Sequence, residues 1–410
     1  MVKKEEKLMK KRANKRSRKR IKYVNLFTAI FFLLLCTIII GFSLKKMGVS
    51  QSNLDNLDHM STEFSDGSAP PLTKTDGKEL NNGQKTLTPE QQKIEDGIKP
   101  YLKNQVGTLL IIRNGQIYFE RGYGYSDLSK RIENSAETQY QILSAQKAIT
   151  AQMIMKMVET NKLSLSDKID KYYPELESGD RLEIKNLLNM TSGLVMSDQS
   201  PFAKKDAEIV DRTVSRLTSN GKIGKWDYID QNYVLLTGII GKITGKSYEE
   251  LFNEDFKKPL GLSSAGFVYN HTEMPHLATG YYFKNQNSYD GPVYENDLEK
   301  YSELGAGNIA MTTHDFYKLL SSILQNKFAS KNSNQILHAL GTSTSGYSGG
   351  MYQRKNYYIL SGRGYGFEVK IKISSHGDNA VLFFSNSEPD SDDYVQQNLV
   401  SDIYKHEFKN

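Results

Sequence analysis

The sequence predicts an α/β (α+β) domain in which a central antiparallel sheet, flanked by helices, carries an all-α subdomain. Three observations predict it. Strand patterns occupy both ends of residues 88–410, a long apolar helix follows residue 144, and the middle, roughly 150–340, is mostly helical or irregular. Strands at the two termini around a helical insert close most simply into one antiparallel sheet with helices packed on it.

The elements follow in order. Thr88-Pro89-Glu90-Gln91 has the marks of a helix start, with Thr as N-cap, Pro at N1 and Gln at N3. Gly107–Arg113 and Gln116–Gly122 flank Asn114-Gly115, a dipeptide that favours a type I′ hairpin because both residues tolerate positive φ. Ile149, Met153 and Met157 recur at i, i+4 and i+8, as one buried helix face requires. Thr191-Ser-Gly193 and Pro259-Leu-Gly261 punctuate the middle as turns. Phe367, Val369, Ile371 and Ile373 alternate with polar residues, the period of a half-buried strand. Gly377-Asp378 then turns the chain into a second strand at Val381–Ser385. A helix over about 391–406, with Val395, Leu399 and Ile403 on one face, ends the domain.

The segment before residue 88 has a different character. Residues 1–22 carry 12 Lys/Arg against Glu5 and Glu6, which leaves 41 basic and 45 acidic residues over the remainder. The overall charge of +6 therefore hides a basic arm joined to a mildly acidic body. Residues 23–44 read as a transmembrane helix. Its apolar run Val24–Leu44 is 21 residues long, enough at about 1.5 Å per residue to cross a hydrocarbon layer of about 30 Å. The positive-inside rule puts the N-terminus in the cytoplasm and the rest outside the cell membrane. Lys45-Lys46-Met47 is not a small-residue cleavage site, so an uncleaved single-pass anchor is expected rather than a signal peptide. Beside a membrane span the basic arm is an orientation signal that attracts anionic lipid, not a nucleic-acid site. Residues 45–87 are polar, with Asp66-Gly-Ser-Ala-Pro-Pro71, and read as a flexible extracellular linker. Cys36 is the one cysteine and the seven histidines are scattered, so neither a disulfide framework nor a metal centre is expected.

Ser144-Ala-Gln-Lys147 carries the chemistry. Positions i and i+3 share a helix face, so Lys147 reaches the Ser144 hydroxyl. A serine is a weak nucleophile until an adjacent base takes its proton. A helix N-terminus favours negative charge and is expected to depress the amine's pKa. The same spacing at Ser43/Lys46 and Ser219/Lys222 has no supporting context, so spacing alone does not single out the site.

With these landmarks in order, most of residues 88–400 resembles the serine β-lactamase and penicillin-binding protein superfamily, near the class C enzymes. Ser144-Ala-Gln-Lys147 stands at the family's nucleophile motif. Asn161-Lys-Leu-Ser-Leu-Ser-Asp167 and Leu187-Leu-Asn-Met-Thr-Ser-Gly-Leu194 resemble the segment that follows it. Asn232-Tyr-Val-Leu-Leu236, Ile243-Thr-Gly-Lys-Ser-Tyr248 and Pro259-Leu-Gly-Leu262 are similarly characteristic. Tyr228-Ile229-Asp230 occupies the place of the family's Tyr-x-Asn. The third motif, usually Lys or His, then Ser or Thr, then Gly, is read at Leu360-Ser361-Gly362. Gly346–Gly350 and Gly364–Gly366 are alternatives for that strand. The resemblance implies Ser144 as nucleophile, with Lys147 and Tyr228 sharing the proton transfers. It also implies an oxyanion hole from the N–H groups of Ser144 and Arg363, each donor worth about 3–4 kcal/mol. Asp230, Ser361, Gly362 and Arg363 then bind substrate, and no cofactor or metal is required.

The two departures point the same way. An ionised Asp230 accepts hydrogen bonds and cannot donate one to an amide carbonyl, but it suits a free ammonium. Leu360 takes away the third-motif cation, so an anionic leaving group is not required there, unless the Arg363 guanidinium replaces it. A D-alanyl ester of a polymer alcohol has both features. The chain resembles the teichoic-acid D-alanine esterases of the FmtA kind, which share the Ser-Ala-Gln-Lys and Tyr-x-Asp patterns and a non-basic third motif; Gly305-Ala-Gly-Asn308 is also similar. The expected function is a membrane-anchored serine hydrolase acting on D-alanylated teichoic or lipoteichoic acid through an acyl-enzyme. The alternatives are a D,D-carboxypeptidase or β-lactamase-like hydrolase acting on the peptidoglycan stem peptide, and a non-catalytic wall-binding or sensor protein. The oligomeric state is left open.

Overall fold

The computed structural model describes residues 87–408, apart from 103–104, 198–202, 284–288, 290, 297, 343 and 390–394. The basic arm, the apolar run Val24–Leu44 and all but the last residue of the linker lie outside the described residues. Among the described residues, no helix is long and apolar enough to cross a membrane.

Helix α1 (Pro89–Ile98) starts as its sequence dictates. Thr88 Oγ1 accepts from the Gln91 N–H at 3.2 Å, and Gln91 Oε1 accepts from the Thr88 N–H at 3.0 Å. This reciprocal pair satisfies two otherwise orphaned donors. Strands β1 (Gly107–Arg113) and β2 (Gln116–Tyr123) join through Asn114 (φ 51°) and Gly115 (φ 78°), the positive φ pair of a type I′ turn. Five further strands complete the sheet: β3 (Tyr347–Ser348), β4 (Met351–Gln353), β5 (Tyr357–Gly364), β6 (Phe367–Ser374) and β7 (Ala380–Ser385). Their order is β3-β4-β5-β6-β7-β1-β2, antiparallel throughout, and β1 pairs with β7 in the register Thr108↔Phe384.

Both faces of this sheet are covered. On one, α1 and the last helix pack Ile94, Ile98, Leu399 and Ile403 against Leu109, Ile111, Val381 and Phe383. That helix runs from Val395 to Glu407; residues 391–394 and the side chain of Val395 lie outside the described residues. On the other face, helix α2 (Lys147–Glu159) places Ile149, Met153 and Met157 in the main core with Leu360, Val369 and Ile371. The alternation of β6 thus does not mean a solvated face: Glu368, Lys370 and Lys372 are buried as well. For Lys372 the last helix is the reason, with its Nζ lying 4.1 Å from the Tyr357 ring centre and 4.7 Å from that of Tyr404; Lys370 instead pairs with Glu368 at 3.0 Å.

The middle of the chain is the helical subdomain. It includes α3 (Gln231–Thr244), α4 (Thr313–Leu324) and α5 (Lys331–Ala339); the last helix is α6. It also carries strands of two or three residues. Tyr140–Gln141, Ile309–Met311 and Gly266–Phe267 form a small sheet, and Leu194–Met196 pairs with Leu217–Ser219. Segments this short contain no full alternation, which is why a period search passes over them.

Candidate active site

Ser144 lies in a single 3-10 turn (Leu143–Gln146) that runs into α2 at Lys147. Leu143 has φ 49°, a left-handed conformation uncommon for leucine, which turns the chain sharply out of the Tyr140–Gln141 strand. Gln146 locks the turn from behind. Its Nε2 donates to Asn308 Oδ1 at 3.0 Å, and its Oε1 accepts from the Ile309 N–H at 2.8 Å. The same loop, Gly305-Ala-Gly-Asn308, turns the Ala306 carbonyl toward Lys147.

Three oxygens surround the fully buried Lys147 ammonium. Ser144 Oγ accepts from Nζ at 2.9 Å and the Ala306 carbonyl at 3.1 Å, while Asp230 Oδ1 forms an ion pair at 2.6 Å. The expectation of a depressed amine is overturned. Desolvation pulls the Lys147 pKa down, but the Asp230 carboxylate, with Tyr228 beside it, outweighs burial and holds the amine above the ordinary lysine range. A helix end contributes about 0.3–1 kcal/mol. A charge pair at 2.6 Å with one partner 41% exposed is worth about 3 kcal/mol at an effective dielectric near 40. The pair wins. At rest Lys147 is therefore a donor to Ser144, not a base. Burial also raises the Tyr228 phenol above its usual value, against the pull of Lys147, so Tyr228 is a neutral phenol. Burial and the nearby Asp230 raise the Glu303 carboxyl, against Lys147.

A groove of about 260 Å³ opens over Ser144, walled by Tyr228 and Asp230 on one side and by Ser361, Gly362 and Arg363 on the other. Tyr228 and Asp230 come from the approach to α3, where Asp230 is the cap residue. Strand β5 can reach the nucleophile because Gly362 has no side chain. A Cβ there would lie 2.6 Å from the Ile142 carbonyl and 3.0 Å from the Ser144 nitrogen. Gly350 (φ 82°) does the same for the other rim, where a Cβ would come within 2.3 Å of the Ala148 nitrogen. The β5 backbone thus runs alongside the Ser144 amide, as a two-donor oxyanion site requires.

The structure brings together all seven residues singled out in the sequence, with Lys147 beneath the groove and the other six lining it. Three placements add to the expectations. Asp230 already has a cationic partner in Lys147, although its side chain remains 41% exposed to the groove. Leu360 is a core side chain with no exposure, facing away from the groove, and Arg363 Nε is held by Glu388 Oε1 at 2.9 Å. Sequence reasoning named Ala306 only within Gly305–Asn308 and Gly350 only within an alternative strand, and missed Tyr347, Tyr352 and Lys370; all of these line or support the site. The Gly349-Gly350 doublet was the available signal for the rim. Tyr347 packs edge-on against Tyr228, with ring centres 5.7 Å apart.

Comparison with known proteins places the chain among relatives. Residues 95–391 match the family described as Beta-lactamase. The PbpX protein of Bacillus subtilis is 32% identical over 314 residues, covering 75% of this chain and 79% of its own. The teichoic acid D-alanine hydrolase of Staphylococcus aureus is 29% identical over 387 residues, covering 91% of this chain and 93% of its own. The crystal structure of FmtA from Staphylococcus aureus superposes with a TM-score of 0.68 at 27% identity, covering 79% of this chain and 93% of that one. Because the family match spans the sheet, the nucleophile turn and the helical subdomain alike, the chain belongs to the beta-lactamase family and is a hydrolase of its serine type.

Proposed function

We propose that this chain is a membrane-anchored, extracellular esterase that removes D-alanine from teichoic or lipoteichoic acid through an acyl-enzyme on Ser144. The observation that carries this reading is Asp230, a half-exposed carboxylate that faces the groove while holding the buried Lys147. A carboxylate in that position accepts from a free ammonium on the acyl group, which a peptide-like acyl chain lacks. The likeness over nine-tenths of the chain to a teichoic acid D-alanine hydrolase supports the same substrate.

The residues act as follows. The substrate ammonium divides the Asp230 carboxylate between two cations, which loosens its hold on Lys147 and favours the neutral amine. Ser144 Oγ then attacks the ester carbonyl while its proton passes to Lys147, and the N–H groups of Ser144 and Arg363 stabilise the oxyanion. Collapse breaks the bond to the polymer oxygen, which takes a proton relayed from Lys147 through the Tyr228 hydroxyl. Water attacks the D-alanyl–Ser144 ester, and D-alanine leaves as Ser144 regains its proton. The apolar run Val24–Leu44 and the basic arm before it support the anchor and its orientation.

The test is release of D-alanine from D-alanylated lipoteichoic acid by the purified full-length chain, with Ser144→Ala as control. Release that the substitution abolishes is expected. No release, together with stoichiometric acylation of Ser144 by a penicillin, would make the chain a D,D-peptidase; neither release nor acylation would make it a binding protein.

A further inference from the structure

The third-motif position Leu360 is apolar and turned into the core, yet the groove is not without a lysine on that side. Ser361, the next residue, pairs across the sheet with Lys370 on β6. Directly paired residues of antiparallel strands project to the same face. Lys370 accordingly lines the same groove as Ser144, Ser361 and Arg363. Its side chain is 7% exposed and its Nζ lies 3.0 Å from Glu368 Oε1, while the second oxygen of this buried carboxylate, Oε2, has no hydrogen-bond partner. A buried ion pair seldom adds net stability over apolar side chains of similar volume. What bears on a ligand is the position of this ammonium in the groove wall, where an anion bound over Ser144 can reach it. Arg363 stands two pairs along, opposite Glu368 and so on the same face, and is oriented by Glu388. A hydroxyl and two cations thus share the wall of the groove opposite Asp230.

We propose that Ser361, Arg363 and Lys370 form a phosphodiester subsite on the leaving-group side of Ser144, with Lys370 supplying from the neighbouring strand the cation that Leu360 does not. This rests on the D-alanyl esterase reading. In a polyol phosphate polymer, a phosphodiester sits on the carbon next to the esterified one. When the acyl ammonium lies at Asp230 and the ester carbonyl at Ser144, that phosphate falls toward β5 and β6. A phosphodiester carries one negative charge and acceptor oxygens, which an arginine, a lysine and a hydroxyl match as charge-assisted donors. The groove then reads its substrate at both ends, a cation on the acyl side and an anion on the alcohol side.

The experiment compares two esters, D-alanylated lipoteichoic acid and D-alanine methyl ester, which shares the acyl group but has no phosphate. Purified full-length wild type, Lys370→Gln and Lys370→Arg are measured on both. The ratio of kcat/KM on the polymer to kcat/KM on the methyl ester should fall about tenfold in Lys370→Gln, as loss of a charge-assisted contact predicts, and recover in Lys370→Arg. An unchanged ratio in Lys370→Gln overturns the subsite while leaving the esterase reading intact. Wild type inactive on both esters overturns the esterase reading and the subsite with it. A measurement without variants guards against misfolding. Lipoteichoic acid stripped of D-alanine should inhibit wild-type hydrolysis of the methyl ester competitively, and less so as ionic strength rises. Absence of that inhibition also overturns the subsite.

Discussion

Replacing Asp230 by asparagine separates the two tasks assigned to this carboxylate. In the wild type it lies 2.6 Å from a buried ammonium, an attraction of about 6 kcal/mol at an effective dielectric near 20. Its 41% exposure lets water in and reduces this to about 3 kcal/mol at a dielectric near 40. That hold must be loosened before Lys147 can accept the Ser144 proton. Asp230→Asn removes it, so the Lys147 pKa falls and the acidic limb of the pH–rate profile moves to lower pH. An ester with no amine, such as p-nitrophenyl acetate, gains nothing from Asp230 and should react faster in the variant near neutrality. A D-alanyl ester loses a charge-assisted contact worth about 1.5–3 kcal/mol. The ratio of kcat/KM for D-alanyl p-nitrophenyl ester to that for p-nitrophenyl acetate should therefore fall about 10- to 150-fold. Spectrophotometric rates from pH 5 to 10 measure both effects. A ratio that stays within about twofold would refute ammonium recognition by Asp230. An acidic limb that does not move would refute its hold on Lys147.

Two further substitutions probe other parts of the domain. Gly362→Ala puts a methyl group 2.6 Å from the Ile142 carbonyl and 3.0 Å from the Ser144 nitrogen. Backbone must give way on one side, so we expect about 1–3 kcal/mol of lost stability and about a 10²-fold loss in kcat, read by urea unfolding and D-alanine release; wild-type kcat in this variant would mean that β5 does not flank the nucleophile. Burial lowers the His338 pKa to about 4, and its Nδ1 has no hydrogen-bond partner. Between pH 6.5 and 4 the unfolded chain takes a proton that the folded chain refuses, so stability falls with acid, by up to about 3 kcal/mol. His338→Phe, which keeps a ring against Tyr358, should lose less stability than the wild type between pH 7 and 4.5 in urea titrations; an equal loss would place the acid sensitivity elsewhere.

Much of the fold was readable because its signals are local. The box around Thr88, the Asn114-Gly115 turn and the buried face of α2 each lie within a dozen or so residues and use backbone rules that need no partner. Ser144 and Lys147 belong with them, since a helical turn alone brings them within 2.9 Å. The third motif was harder, because the stretch from Gly341 to Gly366 offers several glycines. Only the packing of Gly362 on the nucleophile turn and of Gly350 on the start of α2 assigns each its place.

Strand and helix order, the serine–lysine pair and, through resemblance, the superfamily were legible in the chain alone. The charge of that lysine, the role open to Asp230 and the presence of Lys370 in the groove emerge only once the chain is folded. Hydrogen bonds along a helix or across a tight turn are set by neighbours in the chain. Electrostatics in a buried site depend on distance and desolvation, and these arise when segments far apart in sequence, such as the Ala306 carbonyl 159 residues from Lys147, are folded against one another.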